Sequence, residues 1–301
     1  MAINTKTIKR RIKSIGNTKK ITKAMEMISA VKMRKAVSNV LATRSYANLA
    51  WEMLRDIAKI TDVNLHHLLQ KRPVKKVGVI MITSNRGLAG GFSSKLLVEL
   101  DKYIKTEKSY GAEVEVILLG KRGRKIYKNF GHTVAAEFEK IDLTTKVEDI
   151  LPMSRTAVAD YVNGKYNKLC VAYTDYISAI KQEPRVKQLL PFVNEEDKNL
   201  GNAGQKEKKN ETAVGELEFT FEPDPVGVLD LLIPRLVEMQ MYQAVLESDA
   251  SEHSARMMAM RNASDAAADI IKELNYTYNK ARQSAITQEI AEIVGGAAAL
   301  G

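Results

Sequence analysis

The chain has 301 residues, 45% of them hydrophobic and 27% charged; this is enough apolar material for a sizeable core and argues against wholesale disorder. A single cysteine, Cys170, excludes an internal disulfide framework and a Cys-rich metal site, and no uninterrupted apolar run approaches the ~20 residues a membrane helix needs. The formal charge is +10, unevenly spread: residues 1–60 carry fourteen basic and three acidic side chains (+11), residues 226–301 six and ten (−4), and the stretch between carries +3.

The first segment, to about Ile60, has no proline and one glycine, Gly16. Apolar residues recur at Ile8, Ile12 and Ile15, then at Ile21, Met25, Ile28 and Val31, which predicts a helix. At 1.5 Å per residue it would run roughly 80–90 Å, too long to fold back on itself, so it needs a partner along its length.

Lys76–Thr83 (KVGVIMIT) predicts a strand, Ser84–Gly91 (SNRGLAGG) a turn and Phe92–Lys105 a helix. A second strand follows at Val114–Leu119, a short helix at Gly123–Phe130, a weaker strand at Thr133–Phe138 and a helix at Val147–Val162, whose start Pro152 pushes later. Lys168–Tyr173 is a further strand, while Arg185–Leu190 and Glu216–Phe221 read as a strand pair with no helix between. Alternating strands and helices predict a parallel or mixed sheet covered by helices. The polar segment Asn194–Gly215 predicts a flexible loop.

The C-terminal segment carries the strongest periodicity. Alternating steps of four and three from Leu232 reach Leu236, Met239, Gln243, Leu246, Ala250, His253, Met257, Met260, Ser264, Ala267, Ile271, Leu274, Tyr278, Ala281, Ala285 and Gln288, and thirteen of these seventeen positions are apolar. A sustained 3.5-residue repeat is the signature of a coiled coil. Asp224 caps the helix, Pro225 opens it, and Pro234 is expected to kink or restart it. From Pro225 to Ala299 it would reach about 110 Å. Two long helices of opposite charge, joined by a domain that lets them return, are read as each other's partners.

Chemistry-bearing motifs are sparse. Ser84–Gly91 follows a strand and precedes a helix, where phosphates often bind, but it lacks both G-x-G-x-x-G and a terminal G-K-[ST]. It reads as a tight turn from which Arg86 would meet a partner. Residues 1–25 have the basic, acid-free composition of a transit peptide, yet the helical pattern runs straight through them. His66, His67 and His132 have no neighbouring ligand set, and His253 falls on the coiled-coil seam. No acid–base pair, metal or cofactor is expected. Two alternatives stay open at this level: a basic coiled-coil protein that binds nucleic acid, and a dinucleotide-binding enzyme.

Four stretches carry a resemblance. Ile21–Ala36 (ITKAMEMISAVKMRKA), Ser84–Phe92 (SNRGLAGGF), Glu222–Pro225 (EPDP) and Ala281–Val294 (ARQSAITQEIAEIV) together resemble the gamma subunit of F-type ATP synthases. Glu26 and the Lys-Met-Arg-Lys run at 32–35 resemble bacterial rather than mitochondrial members. The resemblance implies a non-catalytic central rotor stalk with no cofactor, involved in ATP synthesis and hydrogen-ion transport. Its partners would be alpha and beta subunits, an epsilon subunit and a membrane c-ring, with no nucleic acid. Its place would be the cytoplasmic face of the bacterial inner membrane, as a peripheral protein without a membrane span. The implied α/β fold is a long antiparallel coiled coil of terminal helices, 1–60 and 223–301, plus a Rossmann-like foot, 61–222, that includes the 194–215 loop. Contacts with partner subunits are expected at Met25 and at the basic residues Lys20, Lys32, Arg34 and Lys35, at Arg86, and at Arg282, Gln283 and Thr287. Val294 to Leu300 would sit in an apolar bearing.

Overall fold

The computed structural model describes residues 5–60, 68–70, 72–127, 134–140, 146–192 and 225–300. In chain order the elements are α1 (Thr5–Ile60), β1 (Lys76–Ile82), α2 (Phe92–Ser109), β2 (Glu113–Leu119), α3 (Lys121–Tyr127), β3 (Val134–Phe138), α4 (Val147–Val162), β4 (Lys168–Tyr176), β5 (Gln182–Leu190) and α5 (Pro225–Leu300). They fall into two compact units, one of residues 30–255 and one of residues 1–29 with 256–301. The expected loop at 194–215, the strand at 216–221, the Asp224 cap and His66, His67 and His132 lie outside the described residues.

In the larger unit the sheet runs in the order β3-β2-β1-β4-β5. β1 to β4 are parallel, and β5 returns antiparallel along β4. This is the Rossmann-like half expected from the alternating strands and helices, with one antiparallel edge. β5 contains the predicted strand Arg185–Leu190 and pairs along β4. The short turn at 177–181, where Ser178 N donates to Lys181 O at 2.9 Å, folds the chain back into a hairpin.

Successive side chains of β1 leave on opposite faces. Val77, Val79 and Met81 pack with Leu96, Leu97, Leu100 and Ile104 of α2. Ile80 and Ile82 pack on the other face with Ile150, Met153, Ala157 and Tyr161 of α4 and with Leu229, Ile233, Leu236, Val237 and Met241 of α5. The first turns of the long C-terminal helix are therefore part of the sheet's own core. That explains Pro234, which neither stops nor restarts α5: a helix whose flanking Ile233 and Leu236 are buried survives the loss of one backbone donor. Pro152 likewise sits inside α4 without delaying it. The helix begins at Val147 because the Asp149 carboxylate accepts from Lys146 N at 2.8 Å and closes the first turn.

α1 and α5 run antiparallel where they meet in this unit. Thr43 Oγ1 donates to Gln243 Oε1 at 2.7 Å, and one turn further along, Ala36 and Val40 cluster with Leu246 and Ala250. Every position of the predicted α5 seam from Leu232 to Ala281 is buried or half-buried, and the last two, Ala285 and Gln288, are exposed. The α1 stripe behaves differently. Ile8, Ile12 and Ile15 are covered, but Ile21, Ile28 and Val31 are 61%, 58% and 57% exposed. Beyond Ile15 the covered positions include Thr22, Glu26, Ser29, Met33, Ala36, Val40 and Thr43, which follow a four-three alternation of their own. Small and polar side chains occupy much of this seam, so the periodicity of the largest apolar residues pointed outward.

Cys170 lies in β4, fully buried, with its sulfur 3.2 Å from Tyr103 Oη. Burial pushes the thiol up to about 11, against a smaller opposing pull from that hydrogen bond. At pH 8 the thiolate is thus about one part in a thousand, and the folded chain is expected to be inert to a thiol reagent. A colorimetric thiol titration should find no reaction in buffer and one equivalent in 8 M urea; a fast native reaction would contradict the burial.

Candidate interaction surface

The glycine-rich turn after β1 is closed by the chain itself. Thr83 Oγ1 donates to the carbonyls of Leu119 and Gly120 at 3.1 and 3.0 Å and accepts from Gly123 N at 3.0 Å. Ser84 Oγ meets Ser93 Oγ at 3.1 Å, and Arg122 fills the space a side chain on Gly87 would need. Gly120, at φ +103°, lies directly against the Thr83 carbonyl. The Thr83 and Ser84 hydroxyls are spent on joining the ends of β1 and β2 to α3 and α2. Among the described residues no group of three His, Cys, Asp or Glu could hold a metal ion, and no helix is long and apolar enough to cross a membrane.

The outer surface of the helices offers more. On α1, Lys20, Ile21, Met27 and Ile28 are exposed in the smaller unit, while Val31, Arg34 and Lys35 are exposed in the larger one. Met25 and Lys32 are half-buried. On α5 every described side chain from Arg282 to Ala297 is exposed, including Gln283 and Thr287. Ile286, Ile290 and Ile293 recur at helical spacing there, next to Val294, which is 62% exposed. Leu300 closes the helix. Arg86 is exposed in the turn after β1, far in sequence from the helix residues. Exposed apolar side chains at regular helical spacing beside cations mark a surface made for protein partners.

One arrangement escaped the sequence reading. Lys140, two residues past β3, is buried and its ammonium bridges Asp249 and Glu252 on α5, the latter at 2.9 Å. Burial alone pulls its pKa down, but the two carboxylates outweigh this and hold it above the ordinary lysine range. Ser251 Oγ donates to Thr174 O in β4 at 3.1 Å, Ser254 Oγ to Ala179 O at 2.6 Å, and Gln182 Nε2 to Ser254 Oγ at 3.3 Å. The available signal was the run of serines at 248, 251 and 254 interleaved with Asp249 and Glu252, a small polar face in the middle of an apolar helix. Nothing in the sequence marked Lys140 as its partner.

Two long terminal helices and a mostly parallel α/β sheet, with exposed apolar and basic residues on the helices, define an α/β protein with helical surfaces suited to protein contacts. The family model for ATP synthase matches residues 4–300. The chain is 42% identical over 301 residues to the ATP synthase gamma chain of Herpetosiphon aurantiacus, covering 97% of each. It is 38% identical over 297 residues to that of Legionella pneumophila strain Corby, covering 98% of this chain and 99% of that one. Among solved structures, a chain of the Euglena gracilis mitochondrial ATP synthase (OSCP/F1/c-ring, rotational state 3) shares the fold at a TM-score of 0.65 and 20% identity, over 98% of this chain and 94% of that one. A chain of the Tetrahymena thermophila mitochondrial ATP synthase central stalk and c-ring matches at a TM-score of 0.58 and 20% identity, over 81% and 99%. The chain belongs to the ATP synthase gamma chain family. The nucleic-acid and dinucleotide-enzyme alternatives give way to that assignment.

The difference between seam and outer face is directly testable. Ser29, which is buried, should not tolerate a larger side chain: Ser29→Leu is expected to cost the isolated chain about 1–3 kcal/mol through overpacking. Neighbouring Ile28→Lys should change it by less than about 0.5 kcal/mol, as exposed positions do. Urea denaturation of the two variants reads both numbers, and equal losses would contradict the seam.

Proposed function

We propose that this chain is the central rotor stalk of a rotary ATP synthase, a non-catalytic subunit that couples ion-driven rotation of a c-ring to conformational cycling in the beta subunits. The observation that carries this is identity of 38–42% to ATP synthase gamma chains over nearly the whole length. The rotor, F1 and c-ring assemblies named for its structural neighbours support the partners we assign: alpha and beta subunits around the helices, and an epsilon subunit and the c-ring at the foot. We place it on the cytoplasmic face of a bacterial inner membrane as a peripheral subunit, in keeping with its bacterial relatives. Residues 61–222 serve as the foot, and 1–60 with 223–301 as the shaft.

The physical logic follows from symmetry. A single asymmetric shaft cannot touch three equivalent catalytic subunits identically, so it holds each in a different state. Turning it cycles every site through tight, loose and open, because differential contact energy shifts each subunit's populations. Lys20, Met25, Lys32, Arg34 and Lys35 meet the moving lobes of beta, Arg86 adds a contact from the foot, and Arg282, Gln283 and Thr287 act as catch contacts. The apolar residues from Ile286 through Val294 to Leu300 turn in a hydrophobic sleeve, where a greasy surface slides without breaking directional bonds.

Purification of the native chain tests the assignment: it should come with membrane-attached alpha and beta subunits, and recovery alone from the soluble fraction would defeat the reading. The charge contacts make a second prediction. Replacing Lys20, Arg34 and Lys35 by Gln should lower ATP-driven ion pumping about 2- to 5-fold at low ionic strength. The deficit should shrink at high salt, where the Debye length falls to about 3 Å. Unchanged pumping at low salt would remove these cations from the coupling path.

A further inference from the structure

We propose that the buried Lys140–Asp249–Glu252 triad, with the serine contacts on the opposite side of α5, is the joint through which the foot grips the shaft against rotation. The inference rests on the rotor reading and assigns its torque path to particular residues.

The carboxyl end of the sheet meets α5 at residues 248–254, and both flanks of the sheet take part. β3 supplies Lys140 at one flank, while β4 and its turn to β5 supply the carbonyls of Thr174 and Ala179 at the other. In the strand order β3-β2-β1-β4-β5, β3 and β4 are three strand spacings apart, about 14 Å at the usual inter-strand distance. At 100° per residue, the Asp249/Glu252 face and the Ser251/Ser254 face of α5 point roughly 160° apart. The helix is therefore held from nearly opposite sides by groups rooted in separate strands. Two opposed contacts resist turning about the helix axis, which a one-sided apolar contact permits.

The chemistry suits the task. Apolar packing is non-directional and lets surfaces slide, whereas charge-assisted hydrogen bonds are short and oriented. Side chains at the triad are almost sealed from solvent, at 4% exposed for Lys140, 14% for Asp249 and 8% for Glu252, so water does not replace a bond lost under load. The small serines at 248, 251 and 254 are fully buried and let the helix approach the strand ends closely enough for direct bonding. Lys140 is itself braced. The Asn85 side-chain amide donates to its carbonyl, and Asn85 Oδ1 accepts from Lys121 N at 3.2 Å. The turn after β1 thus steadies the main chain that carries the lysine. We assign Lys140, Asp249, Glu252 and Asn85 as positioning residues for torque transfer.

The test uses the intact membrane enzyme assembled with this chain. Lys140→Arg keeps the charge. Glu252→Gln and Asp249→Asn/Glu252→Gln remove charge in steps while keeping side-chain volume, so the seam stays filled. Ion pumping per ATP hydrolysed, and the stall torque of single molecules driven through the foot, are the readouts. Lys140→Arg should match the wild type within about 1.5-fold, and the coupling ratio should fall about 2-fold in Glu252→Gln and at least 4-fold in the double variant. ATP hydrolysis itself should stay within about 2-fold. Equal coupling ratio and torque across the series would overturn the proposal. So would failure of Glu252→Gln to assemble, which would make the triad a folding determinant and not a torque joint. A wild-type complex that neither rotates nor pumps would instead defeat the rotor assignment, so the two failures are distinguishable.

Discussion

The constraint on which the rest depends is a buried cation between two carboxylates. Lys140 can leave water only because Asp249 and Glu252 meet it, and removing one partner of such a buried set costs roughly 3–5 kcal/mol. The bridge marks where along α5 the sheet sits. With residues 248–254 pinned at the strand ends, Leu229, Ile233, Leu236 and Met241 fall onto the sheet face beside α4, and Leu246 and Ala250 meet Ala36 and Val40. One helix thereby serves as core element and shaft, and needs no linker between the two roles.

The two helices of the shaft differ in what their surfaces are for, and that governed how legible each was. α5 displays its apolar residues to its own chain over most of its length, so a 3.5-residue repeat traced its buried side directly from Leu232 to Ala281. α1 reserves Ile21, Ile28 and Val31 for the outside and places Thr22, Ser29 and Ala36 against its partner. Periodicity finds apolar faces; it does not say whether the chain itself or another protein covers them.

The sheet was legible because its strands are β-branched runs separated by helical spacing, and the parallel order follows from short right-handed crossovers. The hairpin partner of β5 was not, since strand pairing is a long-range choice that local pattern leaves open. The Lys140 triad was invisible for the same reason: a lysine after a weak strand and two acids more than a hundred residues on become a unit only when the sheet is folded. Among the expected contact residues, Lys20, Arg34, Lys35, Arg86, Arg282, Gln283, Thr287 and Val294 are exposed on the folded chain. Of the basic residues on α1 up to Thr43, all but the half-buried Lys32 are exposed, so their charge is a surface feature of the helix.

The central claim is that this chain turns as a shaft inside a ring of catalytic subunits, and direct observation of that turning is its most direct test. Tyr110 is exposed at the foot end of α2, and Cys170 is buried and inert, so Tyr110→Cys offers a single reactive handle for a probe. With alpha and beta subunits fixed to a surface and ATP supplied, the probe should rotate in one direction with three steps per turn. A probe that stays fixed while the same complex hydrolyses ATP at full rate would contradict the account.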